Sequence, residues 1–285
     1  MSKTQINEVE INRILNPTSI DLGEYVINPY SGCEFSCLYC YARSSTAACK
    51  KNRPWGEYLD IRINAPELLE KELQDKKPET VLLGSTTECF QPIENKYLIT
   101  KKILEILNKH KVNYIILTRS PFILNYLNIL EKGYCKKIYF TINKFEKKYK
   151  ISMEPESPQF NLRINAINTL LDAGIPIVPY FSPILPWISD FENIFLEFDK
   201  AQYIEFECLN FRLKNINEII NKINEINPVI SSNYRKMLED KRFYDNIWKE
   251  IKNSIDEKAR VFGRKYKIYV HAFGSYFENK YSLTS

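Results

Sequence analysis

Histidine is nearly absent: His110 and His271 are the only two in 285 residues. That scarcity removes most histidine-based metal sites and the usual general base in one stroke. No apolar run approaches the ~20 residues that a membrane-spanning helix needs. The opening stretch, MSKTQINEVEINRILNP, has no basic head followed by an apolar core, so no secretion signal is read there. The expected location is the cytoplasm, with no membrane partner. Charge of one sign is scarce as well. Forty basic residues face 35 acidic ones, a net charge of +5, which is too little to argue for nucleic acid by itself, since a dedicated binder shows a basic stripe or a pI above ~9. Runs such as Lys147–Lys148–Tyr149–Lys150 read as solvated faces.

What the chain does have is cysteine, seven of them. An odd number without a secretion signal argues against a disulfide framework, so ordered cysteine spacing points to metal or redox chemistry. The length suits one large α/β domain or two small ones, and a hydrophobic share of 44% is ordinary for a chain with a sizeable core.

Strands and helices are expected to alternate. Tyr25–Ile27, Thr80–Gly84, Tyr114–Leu117, Lys137–Ile142, Ile177–Phe181 and Tyr203–Glu207 read as strands. Ala65–Lys76, capped by Asn64, then Lys96–His110, Pro121–Leu130, Gln159–Asp172 and Asp190–Asp199 read as helices. Buried apolar strands alternating with amphipathic helices indicate a parallel sheet with right-handed crossovers. Six such units suit a doubly wound sheet or an incomplete (β/α)6 barrel, and in both the chemistry gathers at the C-terminal strand ends. Residues 212–260 read as helical, and Lys267–Ala272 as a closing strand. The expected division is an N-terminal extension over 1–24, a core over 25–210 and a C-terminal extension over 211–285.

The chemical signal lies just after the first strand, in Asn28–Pro–Tyr–Ser–Gly–Cys33–Glu–Phe–Ser–Cys37–Leu–Tyr–Cys40–Tyr–Ala–Arg43. Thiolates are the ligands of iron–sulfur clusters. Three closely spaced cysteines can hold three irons of a cubane on one loop and leave the fourth iron open. An open iron can chelate an amino and a carboxylate group, and the methionine end of S-adenosylmethionine (SAM) offers both. The bland alternative is a structural zinc site, which takes four ligands. Cys49, Cys89 or His271 would have to supply the fourth, without motif spacing.

This C-x3-C-x-aromatic-C pattern resembles the signature of the radical SAM superfamily. The wider stretch resembles its spore photoproduct lyase-like (DNA-repair-photolyase-like) branch over roughly residues 25–210. Further strand-end segments carry the likeness: Gly84–Ser–Thr–Thr–Glu–Cys–Phe–Gln–Pro–Ile–Glu94, Leu117–Thr–Arg–Ser–Pro121, Phe140–Thr–Ile–Asn143, Met153–Glu–Pro–Glu–Ser–Pro158 with Arg163, and Ser182–Pro–Ile–Leu–Pro186 with Asp190. The resemblance implies an α/β fold, an incomplete (β/α)6 TIM-like barrel with a C-terminal helical and strand extension. It implies a [4Fe–4S] cluster on Cys33, Cys37 and Cys40, with SAM as second cofactor. Tyr39 would lie near the adenine. Arg119 would meet the SAM carboxylate, Thr141 and Asn143 the ribose or methionine portion, and Thr86 and Glu88 would face the same mouth. Arg163 would reach the cofactor or Glu154.

The implied chemistry is reductive cleavage of SAM to methionine and a 5′-deoxyadenosyl radical, which abstracts hydrogen from a substrate. Flavodoxin or ferredoxin would supply the electron. The lyases carry a hydrogen-donating cysteine shortly before the acidic residue of the second strand end; here the matching position is Ser85, and a hydroxyl O–H is too strong a bond for that role. Cys89 is the displaced candidate donor. Thymine-dimer reversal is therefore not expected, and the substrate is left open, with nucleic acid or a nucleotide among the candidates. The competing class is a non-catalytic zinc–thiolate protein that binds nucleic acid. It has no need for Thr86, Arg119, Thr141 and Asn143.

Overall fold

In the computed structural model, residues 4–44, 53–273 and 281–284 are described. Cys49, one of the candidate fourth zinc ligands, lies outside them. Two compact units are present. The first comprises residues 1–36, 41–140 and 156–177, and the second residues 37–40, 141–155 and 178–285.

In the first unit, four strands run parallel. β3 (Tyr25–Ile27) pairs with β6 (Thr80–Leu83), β6 with β7 (Asn113–Thr118), and β7 with β8 (Cys135–Ile142), which leaves this unit at Phe140. The short β2 (Asn16–Pro17) lies antiparallel to β3. A separate three-stranded sheet, not anticipated from the sequence, joins β1 (Gln5–Val9) in parallel to β5 (Tyr58–Arg62), which pairs antiparallel with β4 (Tyr30–Gly32). Helix α1 (Ala65–Asp75) buries Leu69 and Leu73, one turn apart, with Pro66 in its first turn, where the missing N–H costs nothing. Asn64 does not cap it. Its amide instead accepts from Ile11 N–H at 3.0 Å and donates to Ile11 C=O at 2.9 Å.

The helix expected over 96–110 is divided. α2 (Glu94–Tyr97) ends at Leu98, whose φ is +53°, and α3 (Ile99–Lys109) starts afresh. The break is held by the Glu94 carboxylate, which accepts from Thr100 N–H and Lys101 N–H, both at 3.0 Å. These are donors that a helix start leaves without partners. Residues 121–126 form a 3-10 turn before α4 (Leu127–Glu131). Past α5 (Lys147–Met153), which belongs to the second unit, α6 (Phe160–Asp172) closes the first unit's helices.

In the second unit β9 (Ile177–Ile184), β10 (Ile204–Cys208) and β11 (Tyr266–Val270) run parallel, and β12 (Tyr281–Thr284) is antiparallel to β11. Phe181, Phe195, Phe206 and Tyr266 pack edge to face or tilted between them, the ring geometry that aromatic quadrupoles favour. The helix expected over 190–199 shrinks to α7 (Ile194–Glu197), because Asp190 is spent elsewhere: its carboxylate pairs with Lys144 at 2.7 Å and accepts from Glu192 N–H. The helical segment resolves into α8 (Ile216–Ile226), α9 (Pro228–Glu239) and α10 (Lys241–Val261). Asn227 caps α9 through Val229 N–H and Ile230 N–H. The strands thus form the mostly parallel α/β fold expected. No described helix is long and apolar enough to cross a membrane.

Candidate active site

The cysteine loop begins where β4 ends. Gly32, the residue before Cys33, has φ +96°, and a Cβ there would stand 2.3 Å from the Tyr58 carbonyl oxygen. Only glycine fits both demands. Gly32→Ala is expected to cost more than about 2 kcal/mol, measurable as a lowered urea midpoint at unchanged slope.

The first unit clamps the start of this loop with the segment following β6. Thr87 Oγ1 donates to Gly32 C=O at 2.6 Å. Glu34 N–H donates to Gln91 Oε1 and Ile93 N–H to the Glu34 carboxylate, both at 2.8 Å. Asn28 joins two strand ends: its Oδ1 accepts from Thr86 N–H at 3.0 Å and its Nδ2 donates to Ser85 Oγ at 3.2 Å. Tyr30 and Tyr126 both donate their hydroxyls to Glu94. Asn28, Gln91 and Glu94 stood in the sequence motifs without an assigned role; all three are buried and hold the cysteine loop's footing.

Among the anticipated site residues, Glu88 and Arg119 meet at the ends of β6 and β7. The buried Glu88 carboxylate accepts from Thr118 Oγ1 at 2.7 Å, Arg119 N–H at 2.9 Å and Phe90 N–H at 3.0 Å. Burial raises its pKa above the usual carboxylate range, against the pull of those hydrogen bonds and of the Arg119 charge. Cys89, beside it, is fully buried. Burial first, then the negative charges of Glu88, Glu94 and Cys33, push its thiol well up, so it keeps its proton at neutral pH. Thr86 is half-buried. Arg163 is fully buried on α6, and its Nε donates to Pro158 C=O at 2.9 Å.

The second unit holds the rest of the loop. Leu38 N–H donates to Met153 C=O at 2.9 Å, and Asn215 Nδ2 to Leu38 C=O at 2.7 Å. The Tyr39 hydroxyl is bonded to the fully buried Glu154 and to Asn143 Oδ1, the latter at 3.2 Å. Asn143 in turn donates to Pro183 C=O at 3.0 Å. Tyr39 and Asn143, both anticipated as cofactor contacts, are therefore neighbours. Thr141, half-buried, lies two residues before Asn143 near the end of β8. Nothing in the sequence pointed to Asn215.

A polar group that the sequence did not assemble also lies at the strand ends of this unit. Glu207, near the end of β10, accepts from Ser182 Oγ at 2.7 Å and pairs with His271 Nε2 at 3.2 Å. Burial would raise its carboxyl, but the hydrogen bonds and charge of His271, with Ser182 and Tyr180, outweigh burial and hold it at about 2, against 4.5 ordinarily. A carboxyl lowered on folding stabilises the fold above its unfolded value and loses that contribution as pH falls through its folded value. Glu207→Gln should therefore flatten the fall of stability between pH 4.5 and pH 2, read from urea melts across that range. Of the basic residues of this segment, Arg260 lies in the last turn of α10 and Arg264 and Lys265 lie between α10 and β11, at the strand's N-terminal end, away from the ends where chemistry gathers.

As for a bound group, no disulfide joins any two of Cys33, Cys37, Cys40, Cys89, Cys135 and Cys208. Among the described residues no three His, Cys, Asp or Glu side chains converge as a single metal ion requires. The fit therefore rests on donor chemistry: three thiols on one braced loop match the thiolate set of an iron–sulfur cluster.

Comparison with known proteins decides the family. The radical SAM superfamily profile matches residues 27–196. The chain belongs to the radical SAM superfamily. An uncharacterized protein of Methanocaldococcus jannaschii is 32% identical over 90% of this chain and 95% of its own length. An uncharacterized protein of Mycobacterium bovis is 23% identical over 63% of this chain and 55% of its own. Among solved structures, a Cys-to-Ser variant of spore photoproduct lyase superposes with a TM-score of 0.59 at 18% identity, covering 76% of this chain and 65% of the lyase. A double variant of the lyase with bound AdoMet and dinucleoside spore photoproduct gives 0.56 at 17% identity, covering 78% and 66%. At such identities the likeness is one of fold. The chain spans about two thirds of the lyase's length.

Proposed function

We propose that this chain is a radical SAM enzyme whose Cys33, Cys37 and Cys40 hold a [4Fe–4S] cluster, and that it abstracts hydrogen from a nucleic acid or nucleotide. When bound, the cluster and SAM supply one-electron cleavage of a carbon–sulfur bond, with an electron from a flavodoxin- or ferredoxin-type donor, yielding methionine and a 5′-deoxyadenosyl radical. The observation that carries the reading is the bracing of the cysteine loop by the very strand-end segments that match the superfamily. A structural zinc loop has no use for the Glu88–Thr118–Arg119 knot or the Tyr39–Asn143–Glu154 knot.

The chain's own residues position and exclude water. Glu88 fixes Thr118 and the Arg119 backbone, which aims the Arg119 guanidinium for two parallel hydrogen bonds to the SAM carboxylate. Tyr39 and Asn143, locked to one another, take the adenosine side, with Thr141 beside them. Thr86 and the buried Arg163 complete the set proposed to line the cofactor. Cys89 retains a thiol hydrogen and is assigned its return to a substrate radical: S–H breaks, C–H forms, and a thiyl radical remains. The test is anaerobic reconstitution with iron and sulfide, reduction, addition of SAM and an assay for 5′-deoxyadenosine. Tightly bound zinc in place of iron would overturn the reading.

A further inference from the structure

One aromatic side chain of the second unit sits where neither core nor turn accounts for it. Past β9 the chain makes a tight turn, Leu185–Pro–Trp–Ile–Ser189. Ile188 N–H and Ser189 N–H donate to Leu185 C=O at 3.0 and 2.9 Å, and Leu185 N–H donates to Ser189 Oγ at 2.8 Å. Leu185 and Ile188 are buried and fasten the turn. Between them Trp187 has φ +60° and is 44% exposed. The left-handed region suits glycine or asparagine, and a side chain there is strained. Tryptophan bears a double cost, a strained backbone and a large apolar ring in water. A turn under no further demand would be better served by glycine.

The ring is braced. Tyr234 stands 6.0 Å away at 56° and donates its hydroxyl to Pro186 C=O at 3.2 Å. Phe211, in the loop leaving β10, packs on Tyr234 at 5.4 Å, and Tyr244 and Trp248 continue the wall behind Phe211. The turn holding Trp187 and the loop holding Phe211 thus share one aromatic support at the C-terminal ends of β9 and β10. That is the end of a parallel α/β sheet where ligands bind.

We propose that Trp187 is a stacking platform for a base of a single-stranded nucleic-acid substrate, an inference that rests on the function proposed above and narrows its substrate. An indole held from behind offers a flat face on which any base can stack, so such a contact tolerates sequence. The chain's net charge of +5, too small to argue for nucleic acid alone, tips the choice from an aromatic peptide to a polyanionic carrier of flat rings.

The test uses the anaerobically reconstituted full chain, titrated with an eight-residue oligothymidylate while tryptophan emission is followed. An abasic strand of equal length serves as comparison. Quenching is expected with the wild type. Trp187→Ala should bind about tenfold more weakly, without that quench, while Trp187→Phe keeps most of the affinity. Equal binding by Trp187→Ala, equal binding of the abasic strand, or no binding by the wild type would overturn the inference. Trp187→Gly supplies a folding readout: relief of the strain should leave its melting temperature unchanged or higher, and a marked fall would show that the ring serves only to cover Tyr234. Iron content and 5′-deoxyadenosine formation are measured on the same preparations. Their loss in the wild type defeats the enzyme reading itself, whereas their persistence beside a failed titration defeats the stacking platform alone.

Discussion

Replacing Cys37 by alanine should reduce 5′-deoxyadenosine formation at least about a hundredfold, to background, while leaving the fold intact. The first half of that expectation follows from ligand count. In the proposed cluster three thiolates would hold three irons, and the middle one has no substitute on the loop: the residues between Cys37 and Cys40 are Leu38 and Tyr39, neither of which binds iron in such clusters. Removal of a mere outer-shell partner of a metal site typically costs 10–100-fold, so loss of a ligand sets that as a lower bound.

The second half follows from the contacts. Leu38 is fastened by its backbone to Met153 and Asn215, and Tyr39 by its hydroxyl to Glu154 and Asn143, none of which involves the Cys37 sulfur. Circular dichroism and urea melts of the metal-free protein should therefore coincide with those of the wild type. Iron analysis and the absorption of the reconstituted protein report the cluster separately from turnover. A variant that keeps full iron and full activity would remove Cys37 from the cluster, and with it the central assignment.

The cysteine motif that marks the superfamily was legible because it is local in the chain: three cysteines within eight residues announce themselves by spacing. The alternation of apolar strands and amphipathic helices was legible for a similar reason, since each element carries its own period. What escaped depends on partners far along the chain. β1 alternates weakly, and its partner β5 lies some fifty residues on, so no hairpin turn signals it. Asn64 has the chemistry of a helix cap, but Ile11 claims its amide. The apolar spacing of α3 runs on through Leu98 towards Lys96, and only the reach of Glu94 shows that the helix must restart. At the site, residue types were legible while directions were not. Glu88 was recognisable as a carboxylate at a strand end. Whether it faced a ligand or the Arg119 backbone depends on how β7 lies beside β6, which no short pattern encodes. His271 and Glu207 stand 64 residues apart in the chain, and only the pairing of β10 with β11 brings them together.

Glu94 is where the largest loss of stability is expected. Its carboxylate is 2% exposed and serves four donors: the hydroxyls of Tyr30 and Tyr126 and the backbone N–H groups of Thr100 and Lys101. Removing a buried acceptor leaves each donor without the water it gave up on folding, at about 1–3 kcal/mol for a fully stranded group. Some relief comes from a cavity large enough for water, so the four costs do not add in full. Glu94→Ala should destabilise the protein by about 4 kcal/mol, within the range for breaking a buried charged network. Glu94→Gln keeps one acceptor oxygen but turns an N–H2 towards donors, and should cost roughly half as much. The effect should also reach the cysteine loop, because Tyr30 lies three residues before Cys33 and loses its anchor. Urea melts measure the stability, and iron retained after reconstitution measures the loop. If Glu94→Ala unfolds at the wild-type midpoint, the four hydrogen bonds do not hold the loop, and the footing described for Cys33 is wrong.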